Sequence, residues 1–191
     1  MSILVTDPAS GRTLISRGAQ PLIPASTMKL LTSVVALDVL DPAATVKTKV
    51  RSTGGGRLVL VGGGDPFLTT KRGTTGGSLA ELADKTVAAL PKGTRTVTLG
   101  YDAGLFAGPA WHPSWGPNYS YSVAPVSALM VDHGLNGTRP RVSDPAKVAA
   151  QAFAKALAKR GLRVTGAVAP RAAAGRRSRR STRRPWTRWS G

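Results

Sequence analysis

The chain has 191 residues, 41% of them apolar, with no cysteine and two histidines. That is enough for one domain of ordinary size, and it excludes a disulfide framework, a thiolate metal site and a histidine-rich metal centre. The formal charge is +18, but eight arginines and no acidic residue fall in residues 171–191, leaving nineteen basic against nine acidic residues before them, so the excess that suggests a nucleic-acid binder is partly a property of the tail.

Ile3–Thr6 and Thr13–Ser16 are short β-prone runs separated by Asp-Pro-Ala-Ser-Gly. That linker is turn chemistry, with proline presetting φ and Gly11 free to take positive φ, and it predicts an antiparallel hairpin. Residues 26–40, after Pro24, carry apolar side chains nearly all round a helix, the pattern of a buried helix rather than an amphipathic one. Asp41-Pro42 ends it. Strands follow at Thr45–Arg51 and Arg57–Val61, the second running into Gly-Gly-Gly-Asp-Pro at 62–66. Ser78 with Glu81 is a capping-box pattern opening a helix to about Leu90. Arg95–Leu99 reads as a strand, 104–122 as a loop rich in Gly, Pro and aromatics, and Val123–Val131 as apolar and ambiguous between strand and helix. Asp144-Pro145 is an N-cap followed by proline at the first helical position, and Gly161 stands where a C-cap glycine belongs. Leu162–Val168 reads as a strand, and no apolar run is long enough to span a bilayer.

Chemistry concentrates at one place, the stretch PASTMKLL at 24–31. Ser26 and Lys29 are three residues apart, so a helix puts them on one face, with Ser33 farther along it. A lysine amine among apolar neighbours is partly desolvated, which favours its neutral form. A neutral amine can take the proton of the serine hydroxyl and make it a nucleophile. This is the S-x-x-K arrangement of penicillin-binding proteins and β-lactamases. Two fixed residues are a weak signal, and a helical lysine commonly reaches to water; context decides.

The segment TDPASGRTLISRGAQPLIPASTMKLLTSVVALDVL resembles the strand pair and active-site helix of serine D-alanyl-D-alanine carboxypeptidases/endopeptidases of the penicillin-binding protein 4 type, peptidase family S13. LVLVGGGDPFLT and YSYSVAPVSALMVDHG are similar to later family stretches in the same order, and the likeness covers about residues 3–170. It implies an α+β fold: part of a penicillin-binding, β-lactamase/transpeptidase-like domain with a five-stranded antiparallel sheet, plus an inserted smaller domain. Residues 1–45 would start the catalytic domain, 46–168 would be mostly inserted-domain material, and 169–191 would be an Arg-rich tail, disordered or out of frame. The implied mechanism has Ser26 Oγ attack the carbonyl between the terminal D-alanines of a peptidoglycan stem peptide while Lys29 accepts its proton. Water then releases the acyl-enzyme. β-Lactams would acylate the same serine, and no cofactor or metal is implied.

The family's S-x-N and K-T-G motifs do not occur in these 191 residues. The expectation is therefore an N-terminal portion that is catalytically incompetent by itself and leaves its helix short of cover. Residues 178–190, SRRSTRRPWTRWS, can be encoded so that a shifted frame resembles the family's next segment. A frameshift product is the favoured reading of the tail; the alternative is a basic nucleic-acid-binding protein acting through its Arg/Trp tail, where arginine neutralises phosphates and tryptophan stacks on bases. The family is extracytoplasmic, whereas MSILVTDPASG lacks the features of a secretory signal; the chain reads as cytoplasmic as encoded or as lacking an exported upstream part. Residues 62–66 lack the Lys and Ser/Thr of a phosphate loop. His112 and His133 read as loop and surface residues, Trp111, Trp115, Tyr119 and Tyr121 as loop packing rather than a carbohydrate or peptide groove, and Asn136-Gly137-Thr138 as a single sequon match.

Overall fold

The chain folds as two units, Met1–Thr45 and Val46–Gly191, in a computed structural model that describes residues 2–18, 20–73, 77–135, 137 and 139–173. The fold is α+β.

The first unit opens with the expected hairpin. β1 (Ile3–Thr6) and β2 (Thr13–Arg17) pair antiparallel, with Ile3 opposite Arg17. Asp7 organises the turn: its Oδ1 accepts the N–H of Ala9 at 2.8 Å and of Ser10 at 3.2 Å. Those amides hold its carboxyl below the usual carboxylate range. Gly11 takes φ +69°, a region that costs any other residue. The helix expected over 26–40 forms as a 3-10 turn, Ala25–Thr27, followed by α1 (Met28–Val39). No residue of α1 is buried; Leu31 is 61% exposed and Leu37 68%.

The second unit is a sheet with two helices on one face. Its strands are β3 (Lys49–Ser52), β4 (Arg57–Val61), β5 (Thr96–Asp102), β6 (Arg163–Val164) and β7 (Ala169–Pro170). β3 and β4 are an antiparallel hairpin turning through Gly54–Gly56, all at positive φ. β4 pairs parallel with β5, and β6 and β7 pair parallel with successive parts of β5. The sheet is thus mixed, and the antiparallel sheet that the resemblance implies for a penicillin-binding domain is not the sheet of this unit. Parallel neighbours need crossovers. Helix α2 (Leu79–Ala89) lies between β4 and β5 in sequence, and α3 (Pro145–Ala158) between β5 and β6.

Alternation along the strands turns Leu58, Leu60, Val97, Leu99 and Tyr101 to one face. There they join Leu79 and Ala83 of α2 and Ala149, Ala150, Phe153 and Leu157 of α3 in a single core. The alanines of α3 keep its sheet-facing side thin, so Phe153 is completely buried. Burial raises the Tyr101 hydroxyl above its ordinary value, with Asp144 adding to it. Both helices are capped as their sequences predict. Ser78 Oγ accepts the N–H of Glu81 at 3.4 Å and Asp144 Oδ1 that of Lys147 at 2.9 Å. Gly161 takes φ +77° just beyond α3. Asp84 of α2 pairs with both Arg72 and Arg160, tying α2 to the end of α3. The Arg160 hydrogen bond leads in holding that carboxyl below its usual value.

Several boundaries move. The strand expected at Thr45–Arg51 is β3 at Lys49–Ser52, and β5 runs on to Asp102. Residues 123–131 form neither strand nor helix, although Leu129 and Val131 enter the core. The strand expected at Leu162–Val168 is interrupted: Gly166 takes φ +74°, and the Thr165 N–H donates to Val97 O at 2.8 Å before β7 resumes the edge. Residues 169–173, which open the basic tail, belong to this edge: Arg171 N–H donates to Tyr101 O at 2.8 Å and Ala173 N–H to Asp102 Oδ2 at 3.0 Å. Residues 174–191 lie outside the described residues.

Phe153 joins α3 to the sheet, so Phe153→Ala should remove about 3–5 kcal/mol. Urea unfolding followed by far-ultraviolet circular dichroism checks this; a loss below about 1 kcal/mol would mean that the core is not packed around this ring.

Candidate active site

The nucleophile candidate is placed by a tight turn. The Thr27 N–H donates to Pro24 O at 2.9 Å, starting the 3-10 turn from which α1 grows. Ala25, immediately before Ser26, stands at φ +45°. A non-glycine residue pays about 1–2 kcal/mol for left-handed backbone, so the turn carries strain next to the serine. Ser26 then falls at the helix entrance, where unpaired backbone N–H groups and the helix dipole favour negative charge.

Lys29 lies one turn on. Its Nζ donates to Ser26 Oγ at 3.0 Å. That is proton-transfer distance, and with a neutral amine the same contact runs the other way, hydroxyl to nitrogen. Both side chains are exposed, as is every α1 neighbour except half-buried Ala36. The desolvating surround expected for Lys29 is therefore not present in this structure. The geometry brings the Ser26 hydroxyl and the Lys29 amine together without the dry cover.

The other sequence candidates have local explanations. In the run at 62–64, a Cβ at Gly62 would meet the Ala128 carbonyl oxygen at 2.3 Å, and one at Gly63 would meet that of Lys47 at 2.3 Å. The glycines permit close backbone approach rather than a phosphate cradle. His112 Nδ1 lies 2.7 Å from Ser114 Oγ within one turn. The His133 ring meets the Phe67 edge at 6.2 Å between centroids. Trp111, Trp115 and Tyr119 pack on one another, with Trp111 Nε1 donating to Trp115 O at 3.0 Å. Asn136 and Thr138 of the sequon lie outside the described residues. Among the described residues no helix is long and apolar enough to cross a membrane.

Sequence reasoning missed Asp132. Its carboxylate accepts from Thr69 Oγ1 at 2.7 Å, Thr70 Oγ1 at 2.8 Å and the Thr70 N–H at 3.1 Å. It also holds an unusual backbone, for Asp132, His133 and Gly134 stand at φ +50°, +57° and +69°. The signal was the Asp-His-Gly triplet itself, since aspartate and glycine are the residues that tolerate this region. Burial pushes the Asp132 carboxyl up, but the Thr69 and Thr70 hydrogen bonds and nearby Lys71 outweigh it and leave it below its ordinary value.

The model of the D-Ala-D-Ala carboxypeptidase 3 (S13) family matches residues 1–139. A carboxypeptidase of Mycobacterium tuberculosis is 35% identical over 181 residues, 87% of this chain and 39% of that protein. Carboxypeptidase DacB of Mycolicibacterium smegmatis is 34% identical over 170 residues, covering 80% of this chain and 36% of its own length. A D-alanyl-D-alanine carboxypeptidase of an Actinomadura species is 38% identical over 149 residues, 69% of this chain and 25% of that enzyme. The chain thus spans between a quarter and two fifths of the curated relatives it matches.

A carboxyl held low by native hydrogen bonds stabilises the fold above its unfolded pKa, about 3.9, and that contribution is lost as pH falls through the lower folded value. Asp132→Asn should therefore be less stable than the parent by about 1–3 kcal/mol at neutral pH. The gap should narrow as the pH is lowered below about 3.9. Parallel pH series of urea unfolding test this; a gap that is constant across that range would show that Asp132 acts through shape and not through charge.

Proposed function

The chain belongs to the D-Ala-D-Ala carboxypeptidase 3 (S13) family, and we propose on that premise that its first unit carries the nucleophile and base of a serine acyl-transfer site acting on peptidoglycan stem peptides. The observation that carries this reading is the 3.0 Å contact between Lys29 Nζ and Ser26 Oγ at the entrance of α1.

In the proposed reaction the neutral Lys29 amine takes the Ser26 hydroxyl proton as Oγ attacks the carbonyl joining two terminal D-alanines. The D-alanine amine leaves with a proton returned by the lysine, and an ester remains on Ser26. Water then adds to that ester, giving a proton to Lys29; the bond to Ser26 Oγ breaks, Lys29 returns the proton to Oγ, and the shortened peptide is released. A β-lactam acylates the same oxygen by opening its ring. The helix entrance favours charge developing near Ser26. Enclosing the pair in a drier surround favours the neutral amine that the first step requires.

These 191 residues contain neither S-x-N nor K-T-G, the motifs that in the family resemblance position substrate and supply part of the oxyanion hole. Losing one oxyanion donor costs about 10²–10³ in rate. The chain by itself is proposed to be incompetent, and to do its work with those groups supplied. Measured alone, it should release no D-alanine from a D-Ala-D-Ala peptide, with at most very slow labelling by a fluorescent penicillin, and Ser26→Ala should behave the same. Fusing residues 1–170 to the C-terminal part of the Mycobacterium tuberculosis relative should restore release. In that chimera Ser26→Ala and Lys29→Ala should each lower the rate by at least about 10³-fold. Rapid, Ser26-dependent release by the chain alone would overturn the proposed incompetence. A chimera indifferent to Ser26 would overturn the assigned nucleophile.

A further inference from the structure

The second unit contains a recess of about 410 Å³ lying against α3. Successive turns of one helix face line it, with Val148 and Ala152 followed by Lys155, Ala156 and Lys159. Arg160, Gln151 and Thr70 contribute further donors at its wall. Val131, Leu135 and Ala80 complete an apolar floor. The volume is that of small-ligand sites, which combine apolar lining with a few placed polar groups.

Basic groups outnumber acidic ones in the lining: Lys155, Lys159 and Arg160 stand against the one carboxylate of Asp132, whose oxygens accept from Thr69 and Thr70. Arg160 is paired with Asp84, which lies outside the lining. Lys155 and Lys159 make no ion pair among the described residues. They stand one helical turn apart, about 6 Å along the axis, each with its amine free to meet an anion. Lysines near a helix C-terminus also offset the helix dipole. That role requires neither a recess beside them nor an apolar floor.

We propose that this recess is a binding site for a short acidic peptide, its carboxylates meeting Lys155 and Lys159 and its apolar side chains lying on Val131, Leu135, Val148 and Ala152. An inorganic anion would use the lysines and leave the floor idle. A nucleic-acid strand would need aromatic platforms for its bases, and no aromatic residue lines the recess. The site goes beyond the acyl-transfer chemistry and uses no residue of the first unit, so the two assignments stand or fall separately.

The test is calorimetric titration of the full chain with acetyl-Ala-Glu-Ala-Glu-Ala-amide, its glutamine counterpart and inorganic phosphate. The substitutions are Lys155→Gln with Lys159→Gln, and Lys147→Gln on α3 outside the recess. Glutamine and lysine have similar helix propensity, and circular dichroism confirms that the helices are retained. The acidic peptide should bind, more weakly as salt rises. The double substitution should weaken binding about ten-fold, the sum of two exposed charge pairs, with Lys147→Gln and Ser26→Ala leaving it unchanged. Equal binding of the glutamine peptide, equal competition by phosphate, an unaffected double variant, or equal loss on Lys147→Gln would each overturn the proposal. The last two would assign any binding to overall charge.

Discussion

Two backbones pass the end of β4 at distances that no side chain allows. A Cβ added at Gly62 would stand 2.3 Å from the Ala128 carbonyl oxygen, and one at Gly63 would stand 2.3 Å from that of Lys47. Real Cβ atoms do not approach so closely, and the obstacles are main chain, which cannot swing aside. The gain is a junction of hydrogen bonds: Gly62 N–H to Asp102 O at 2.9 Å and Gly64 N–H to Ala128 O at 2.8 Å. The irregular segment through Ala128 is thereby fixed to the ends of β4 and β5. Leu129 and Val131 are delivered into the core, and Asp132 is delivered to Thr69 and Thr70. The left-handed backbone at 132–134 and the floor of the recess both follow from that placement.

The two units stand at opposite ends of hydrophobic economy. In the second, paired strands and two thin-faced helices bury a continuous core. In the first, α1 is apolar nearly all round and buries nothing. Each large aliphatic left in water forgoes roughly 1.5–3 kcal/mol relative to full burial. The acyl transfer proposed for Ser26 and Lys29 calls for the same thing that the apolar side chains of α1 call for, a dry surround. The strained turn at Ala25 and the 3.0 Å serine–lysine contact both arise within a few residues of sequence.

Local features were the legible ones. The Asp-Pro-Ala-Ser-Gly turn, the Ser78 and Asp144 caps and Gly161 each act within a few residues, and each forms as its side-chain chemistry predicts. The Ser26–Lys29 contact is of the same kind, one helical turn. Illegible features were those decided by distant partners. Residues 123–131 have an apolar run without a period, because they are held by Gly64 and by the core rather than by their own ladder. The parallel alignment of β4 with β5 leaves no mark within either strand. The strand at 162–168 breaks because Thr165 turns its amide to Val97 and Gly166 permits the bend. The helix at 26–40 shows the reverse failure: a pattern apolar nearly all round predicts burial but cannot report whether anything covers it, and no residue of α1 is buried.

The recess belongs to this second class, and parallel pairing is the reason it exists. Parallel strands require crossovers long enough to hold a helix, and packing against one sheet face sets α2 and α3 side by side. Beside α3, Ala80 of α2, Thr70 and Val131, Asp132 and Leu135 border the recess. Its lining is drawn from residues spread between 70 and 160, so no motif search assembles it. Net charge does not reveal it either, since +18 counts Lys155 and Lys159 no differently from the tail arginines. What separates these lysines is position. They sit above an apolar floor, and an anion with an apolar body can use the amines and the floor together, which the same charge on an open surface does not offer.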